Sequence, residues 1–301
     1  GVELHAVGSR ARESAASFAS EFDVPRSHAS YVALADDPDV DVVCVATPHS
    51  LHRDNSLLCL DAGKGVICEK PFALNAREAA DAIARARERR LFLMEAMWTR
   101  YVPAVVALRE LLADDVIGNV QLMIGGGAFM PAYDPDFYLF DRRLGGGVLL
   151  DAGVYLVSMA SMVFGSPTKI SAAGSIGATG VDEHDAILLE HANGAIATLY
   201  ISLRAKASPE LTLLGDRGSI RIHAPIFAPR QLTISIDGKA DETREFPFAG
   251  NGYQFEAIEA ARCIRAGLTE SDVMPLDETL SIMQTMDEVR RHIGMTYPQE
   301  T

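Results

Sequence analysis

Two short runs constrain the fold more than anything else in this chain. Residues 40–46 (Val-Asp-Val-Val-Cys-Val-Ala) and 65–69 (Gly-Val-Ile-Cys-Glu) are almost wholly apolar and rich in β-branched side chains. A strand with no polar–apolar alternation has to be covered on both faces, as inside a parallel sheet flanked by helices. Thr47-Pro48-His49 stops the first run and Lys70-Pro71-Phe72 the second. Between them, 51–62 has helical periodicity and is closed by Gly63. The same rhythm runs outward: a strand over 1–9, an Ala-rich helix over 10–22 broken at Val24-Pro25, and a brief segment over 31–35. Beyond Phe72, Asn75 and Glu78 form a capping-box-like start for a helix to Arg90, and 91–95 reads as a further strand. Strand–helix alternation of this kind predicts a parallel sheet with helices on both faces, and handed crossovers leave few topologies. This first domain is expected to span 1–96.

Residues 97–301 differ in character. Helices are expected over 103–113, 149–164, 254–265 and 278–293, and a strand over 120–127 is followed by a loop carrying Phe129, Tyr133, Phe137, Tyr138 and Phe140. Strand-like runs then follow over 169–175, 184–190, 195–203, 211–214, 219–222 and 232–236. Asn193-Gly194 and Asp216-Arg217-Gly218 are hairpin signals, so this second sheet is expected to be antiparallel.

A chain of 301 residues, 48% apolar and 23% charged, has ample material for two packed domains. Its net charge of −14 argues against a nucleic-acid or anionic-membrane partner, both of which require a basic face. No uncharged apolar run reaches spanning length, and the chain opens on a strand-like stretch, not a signal peptide. Cys44, Cys59, Cys68 and Cys263 form no C-x-x-C, so buried free thiols in a reducing cytosol are expected.

Five constellations are candidates for chemistry. At the end of the first strand, Gly8-Ser9-Arg10 lacks the acid that holds a ribose diol, while an Arg there suits a 2′-phosphate; otherwise Arg10 is an ordinary exposed helix-start residue. Thr47, Pro48 and His52 end the second strand and open a helix, a place that favours an anion; His49 and His52 individually read as surface histidines, and no further ligands at a recognisable spacing make them a metal site. Lys70 sits where open α/β sheets place their ligands, either paired with Glu69 or held against a substrate. Asp151 and Tyr155 follow a triple glycine and, four apart, share one helical face; their plain alternatives are a first-turn acid and a packed aromatic. Glu95-Ala96-Met97-Trp98-Thr99-Arg100 joins the domains and holds the sole Trp, which as hinge core would need no ligand. Lys, Asp and Tyr converging on one cleft would suit hydride chemistry, Tyr155 exchanging the hydroxyl proton with its pKa lowered by Lys70.

With these motifs together, the chain resembles the glucose–fructose oxidoreductase/inositol dehydrogenase (Gfo/Idh/MocA) family. The matching elements are Ala46-Thr47-Pro48 with His52, Glu69-Lys70-Pro71, Glu95 to Arg100, and Gly146-Gly147 through Asp151 and Tyr155, in order over nearly the whole chain. The Met-Trp-Thr-Arg and Asp-x-Gly-x-Tyr forms are most similar to its dihydrodiol dehydrogenase and NADP-dependent D-xylose dehydrogenase branch. The resemblance implies an α/β fold: a Rossmann-type parallel sheet followed by an α/β domain with an open, mainly antiparallel sheet that often mediates oligomerisation. It also implies Lys70, Asp151 and Tyr155 as catalytic residues at the reacting end of NADP or NAD. Ser9, Arg10, Thr47, Pro48, His52, Glu69, Lys70, Trp98 and Arg100 would surround the cofactor. A sugar, polyol or trans-dihydrodiol substrate, a homodimer or homotetramer and a cytoplasmic home follow, with no metal. One departure stands out: the family's opening strand and G-x-G-x-x-G turn are not among these residues, so the first sheet is expected to lack its first βα unit. The alternative that departure suggests is a truncated, non-catalytic sugar-binding or oligomer-forming relative.

Overall fold

The computed structural model describes residues 2–300; Gly1, where the expected first strand begins, lies outside the described residues. The first half alternates as its pattern requires: β1 (Ala6–Gly8), α1 (Arg12–Glu21), β2 (Arg26–His28), α2 (Tyr31–Ala35), β3 (Val42–Val45), α3 (His52–Asp61), β4 (Gly65–Glu69), α4 (Ala76–Arg89) and β5 (Leu93–Ala96). The segment over 31–35 is helical because the Ser30 hydroxyl accepts from the Ala33 N–H at 3.1 Å and caps its first turn. In α4, Asn75 accepts from the Glu78 N–H at 2.9 Å, while Glu78 reaches back one residue further than expected, to the Leu74 N–H at 3.3 Å. Its buried stripe of Ala79, Ala82, Ile83 and Ala86 is small enough for close packing.

All strands of this half are parallel, but they form two separate sets. β1 pairs only with β2, while β3, β4 and β5 form a three-stranded sheet with Val43 opposite Val66 and Ile67 opposite Met94. Among the described residues no strand bridges β1 and β3. β3 is not covered on both faces as its composition predicts: Val43 and Val45 are buried, but Cys44 on the other face is exposed. Cys59, Cys68 and Cys263 are buried.

The second half holds α5 (Pro103–Ala113), β6 (Val120–Ala128), α6 (Val154–Phe164), β7 (Pro167–Ile176), β8 (Asp182–His191), β9 (Ile196–Ser202), β10 (Ala207–Gly215), β11 (Gly218–Ile222), β12 (Gln231–Ile236), β13 (Glu242–Glu245), α7 (Gln254–Arg265) and α8 (Leu276–Ile293). Eight strands make one open sheet in the order β13-β12-β11-β10-β6-β9-β8-β7. It is antiparallel except at its centre, where β6 and β9 run parallel. β13 has no apolar period, and its exposed Glu-Thr-Arg-Glu makes the charged edge that protects an open sheet from pairing with other chains. One face packs on helices through Met123, Leu199, Leu213, Ile220 and Ile234. The opposite face leaves Ile124 and Tyr200 exposed.

The stretch 142–164 is long and apolar enough to cross a membrane by length and composition, its most apolar window reaching a mean hydropathy of 1.7, but 72% of that window is buried within the protein as part of the core. α8 ties the halves together: Thr279 donates to Glu95 at 3.0 Å and Asp287 accepts the Ala76 N–H at 2.9 Å.

Candidate active site

β3 and β4 end side by side, and a histidine fastens their exits. The His52 ring lies 2.8 Å from the Thr47 carbonyl through Nε2 and 2.8 Å from the Pro71 carbonyl through Nδ1. His52 is buried, not at the surface. His49 is buried as well; its Nδ1 donates to the Gly145 carbonyl at 2.9 Å, and burial lowers its pKa to about 4, so the ring is neutral. Its partner turn is built on glycine for a physical reason: Gly145 takes φ +82° and Gly147 φ +117°, conformations that L side chains rarely adopt.

From that turn the chain enters the expected helix over 149–164, but its first turn, Leu149–Gly153, is π-helical. The Val154 N–H reaches back to the Leu149 carbonyl, and the wider turn leaves the Asp151 carbonyl turned toward Lys70. The Lys70 ammonium donates to that carbonyl at 2.6 Å and lies 3.5 Å from Asp151 Oδ1. It also stands 4.9 Å from the centre of the Tyr155 ring. Of the two roles open to Lys70, pairing with Glu69 is not realised: its ion pair is with Asp151. Glu69 instead has its pKa raised by burial.

The Tyr155 hydroxyl accepts from Trp98 Nε1 at 2.9 Å. Burial raises its pKa well above the ordinary phenol value, and the Trp98 hydrogen bond only partly opposes this. The depressed phenol expected from a neighbouring lysine is thus absent: desolvation is the largest influence, and Tyr253, Asp151 and Glu69 push in the same direction. The two rings belong to an aromatic cluster: Trp98 lies 4.5 Å from Tyr253 and 6.0 Å from Phe227, and Tyr155 lies 5.9 Å from Phe227. Tyr138, from the aromatic loop, donates to Asp151 Oδ1 at 3.2 Å.

The structure therefore brings Lys70, Asp151, Tyr155 and Trp98 into one cluster, with Thr47, Pro48, His52 and Glu69 at the strand ends beside it. Ser9 and Arg10 stand apart at the carboxyl end of β1, where the Ser9 N–H donates to the His28 carbonyl and the Arg10 side chain is exposed. Arg100 lies elsewhere. It is fully buried, and its guanidinium is taken up by Ser158, Glu278 and the Val273 carbonyl, so it clamps α6 to α8. Sequence reasoning missed Tyr253, Phe227 and Glu256, which arrive from much later in the chain with no local motif. The aromatic run over 129–140 was a usable signal for Tyr138.

Two carboxyls near the site have strongly raised pKa values. Burial pushes Glu95 up to about 7, and burial with Glu69 nearby pushes Glu256 up to about 8. The folded chain holds protons that the unfolded chain releases, so each group lowers stability as pH rises from the unfolded glutamate value to its folded one. Unfolding free energy is expected to fall by a few kcal/mol between roughly pH 5 and pH 8. Urea titrations across that range check this, and Glu95→Gln with Glu256→Gln should flatten the dependence.

The residues suit a phosphorylated dinucleotide at two places. Arg10 has an exposed guanidinium at a strand's carboxyl end, the chemistry of a 2′-phosphate site. Lys70 and the aromatic cluster offer a cation and ring faces just beyond the end of β4. Among the described residues, His5, Asp37 and Asp39 could offer donors to a metal, but Arg26 already bonds both carboxylates, at 2.9 and 2.6 Å.

Comparison with known proteins finds relatives along nearly the whole chain. A profile described as "Oxidoreductase family, NAD-binding Rossmann fold" matches residues 1–97, and one for the GFO/IDH/MocA C-terminal domain matches 105–221. Trans-1,2-dihydrobenzene-1,2-diol dehydrogenase of Bos taurus is 38% identical over 306 residues, covering 99% of this chain and 91% of that protein. The Oryctolagus cuniculus enzyme of the same name is 39% identical over 306 residues, covering 99% and 92%. Among solved structures, the 3-ketoreductase KijD10 of Actinomadura kijaniata, in complex with NADP and TDP-benzene, superposes with a TM-score of 0.86 at 25% identity, covering 97% of this chain and 90% of that one. The chain belongs to the Gfo/Idh/MocA family of NAD(P)-dependent oxidoreductases.

Proposed function

We propose that this chain transfers a hydride between NADP and a secondary alcohol of a trans-dihydrodiol, sugar or polyol, with Lys70, Asp151 and Tyr155 at the reacting end. The observation that carries this reading is the Lys70 ammonium, held at 2.6 Å by the Asp151 carbonyl and 4.9 Å from the Tyr155 ring, beside a cluster of aromatic rings. The dihydrodiol dehydrogenases among its relatives favour a diol on an apolar ring, and stacked aromatic walls suit such a body.

When bound, the nicotinamide accepts or gives the hydride. The side chains handle the proton and the charge. Lys70 orients the substrate oxygen and stabilises the negative charge that develops on it. Tyr155, kept protonated by burial, donates its proton to that oxygen during reduction and takes it back during oxidation. The Trp98 N–H stabilises the phenolate formed when the proton leaves. Asp151 fixes Lys70 and is placed to accept from a second substrate hydroxyl. Ser9 and Arg10 are assigned to the adenosine phosphate end. Thr47, Pro48 and Glu69 are assigned to the wall between the two ends, and His52 and Arg100 to the frame behind it.

We assign 1–96 to cofactor binding and 97–301 to substrate binding and oligomerisation, the exposed Ile124 and Tyr200 face meeting its copy in a dimer or tetramer. A monomer by light scattering would remove the oligomer. Four free thiols fit a cytoplasmic home.

The test is a titration with NADP⁺ and NAD⁺ followed by Trp98 emission, then a turnover screen over dihydrodiols and sugars. Tight NADP⁺ binding with turnover of at least one class is expected; turnover of none would sink the reading. Arg10→Ala should weaken NADP⁺ binding about tenfold and leave NAD⁺ within about twofold, since a charge-assisted phosphate contact contributes on that order.

A further inference from the structure

We infer that Asp182, at the start of β8, is a positioning residue for the reacting end: its carboxylate holds the π-turn that aims the Asp151 carbonyl at Lys70. The inference rests on the function proposed above. Asp182 is fully buried, and its Oδ2 accepts the Leu149 N–H, the first of the π-turn, at 2.7 Å. No side-chain cap serves that turn from within its own segment. The other oxygen, Oδ1, lies against Gly147, where a Cβ would come within 2.1 Å of it, so the glycine is the space the carboxylate occupies. A carboxylate at a helical N-terminus satisfies an orphan N–H and complements its partial positive charge.

The anion is itself held in place. Asp185, three residues along the same strand, is buried as well, and burial with the neighbouring carboxylate pushes Asp185 up to about 9. Burial raises the pKa of both acids; Asp185 carries the proton of the pair, and Asp182 is the member that accepts the Leu149 N–H. Arg290 of α8 and Tyr297 are the other charged or titratable groups that act on the pair. Tyr297 braces the glycine turn that precedes it, donating to the Gly146 carbonyl at 2.8 Å. The π-turn is thus set from outside its own segment, and an error there moves Asp151 relative to Lys70 directly.

Asp182→Ala and Asp182→Asn test this. Loss of the anchor should lower kcat about 30- to 100-fold with KM within about threefold, because a misplacement of around 1 Å at a reacting group costs on that order. Trp98 emission should shift, since its N–H partner Tyr155 follows the turn. The Asn variant keeps an oxygen for the Leu149 N–H and should recover to within about threefold of the parent. Wild-type kcat and emission in the Ala variant would overturn the proposal, as would an Asn variant as poor as Ala. If Asp182→Ala does not fold, Asp182→Ser, too short to span to Leu149, takes its place with the same expectations. A parent chain that turns over nothing would defeat the functional reading alone; Trp98 emission and Leu149 amide exchange would still decide whether Asp182 sets the turn.

Discussion

Lys70→Met lowers kcat by about 10³-fold while NADP⁺ binding, read from Trp98 emission, changes by less than about threefold; removing a preorganised charge from a developing oxyanion costs on that order. The reason lies in how the ammonium is held. Its contacts, 2.6 Å to the Asp151 carbonyl and 3.5 Å to the carboxylate, are made before any substrate arrives. Little reorganisation is then needed when charge develops on the substrate oxygen. Methionine keeps the length and apolar stem but supplies neither the charge nor the donor. Steady-state kinetics on the best substrate of the turnover screen check this, and a variant with the parent's kcat would remove Lys70 from the mechanism. A large loss of NADP⁺ affinity with kcat intact would instead make Lys70 a cofactor ligand.

Tyr155→Phe lowers kcat by about 10²- to 10³-fold, the range for losing a positioned proton donor. Only the hydroxyl is removed, so the ring packing with Phe227 and the Lys70 contact over the ring persist. Trp98 Nε1 loses its acceptor, which red or blue shifts in emission report independently of turnover. The direction of pH dependence follows from the raised pKa. In reduction Tyr155 acts while protonated, so the parent's rate holds at neutral pH and declines only as the phenol ionises on the alkaline side. In oxidation the rate rises toward alkaline pH. Tyr155→Phe should lose both trends. The double variant Lys70→Met, Tyr155→Phe should be little worse than the poorer single one, because groups acting on one transition-state oxygen are not additive.

Much of the fold could be read in the linear chain, because it rests on local chemistry. The unalternating run over 65–69 became β4 with the expected ends, Pro103 opened α5, and Asn75 capped α4. Each depends on residues a few positions apart. The same holds for the neighbourhood of the site: Lys70 follows a parallel strand, and the glycines precede Asp151. The discrepancies have a common cause in partners that are distant in sequence. Cys44 is exposed on one face of β3 while Val43 and Val45 are buried on the other, and nothing in the run Val-Val-Cys-Val reveals which face is covered. His52, read as a surface residue, is buried between the carbonyls of Thr47 and Pro71. Arg100, read as a cofactor ligand, is clamped by Ser158 and Glu278.

By itself, then, the sequence determined the family, the strand–helix order and four of the residues that meet in the cluster, Lys70, Asp151, Tyr155 and Trp98, since periodicity, caps and motif order are carried by neighbours along the chain. Tertiary structure alone decided what those residues are able to do. The π-turn exists because Asp182 bonds Leu149 from another strand, and Lys70 is paired because that turn offers a carbonyl. Tyr155 keeps its proton because burial, with Trp98 and Phe227 packed against it, raises its pKa. Protonation and aim depend on desolvation and on hydrogen bonds closed across the fold, and neither is encoded in the spacing of residues along the chain.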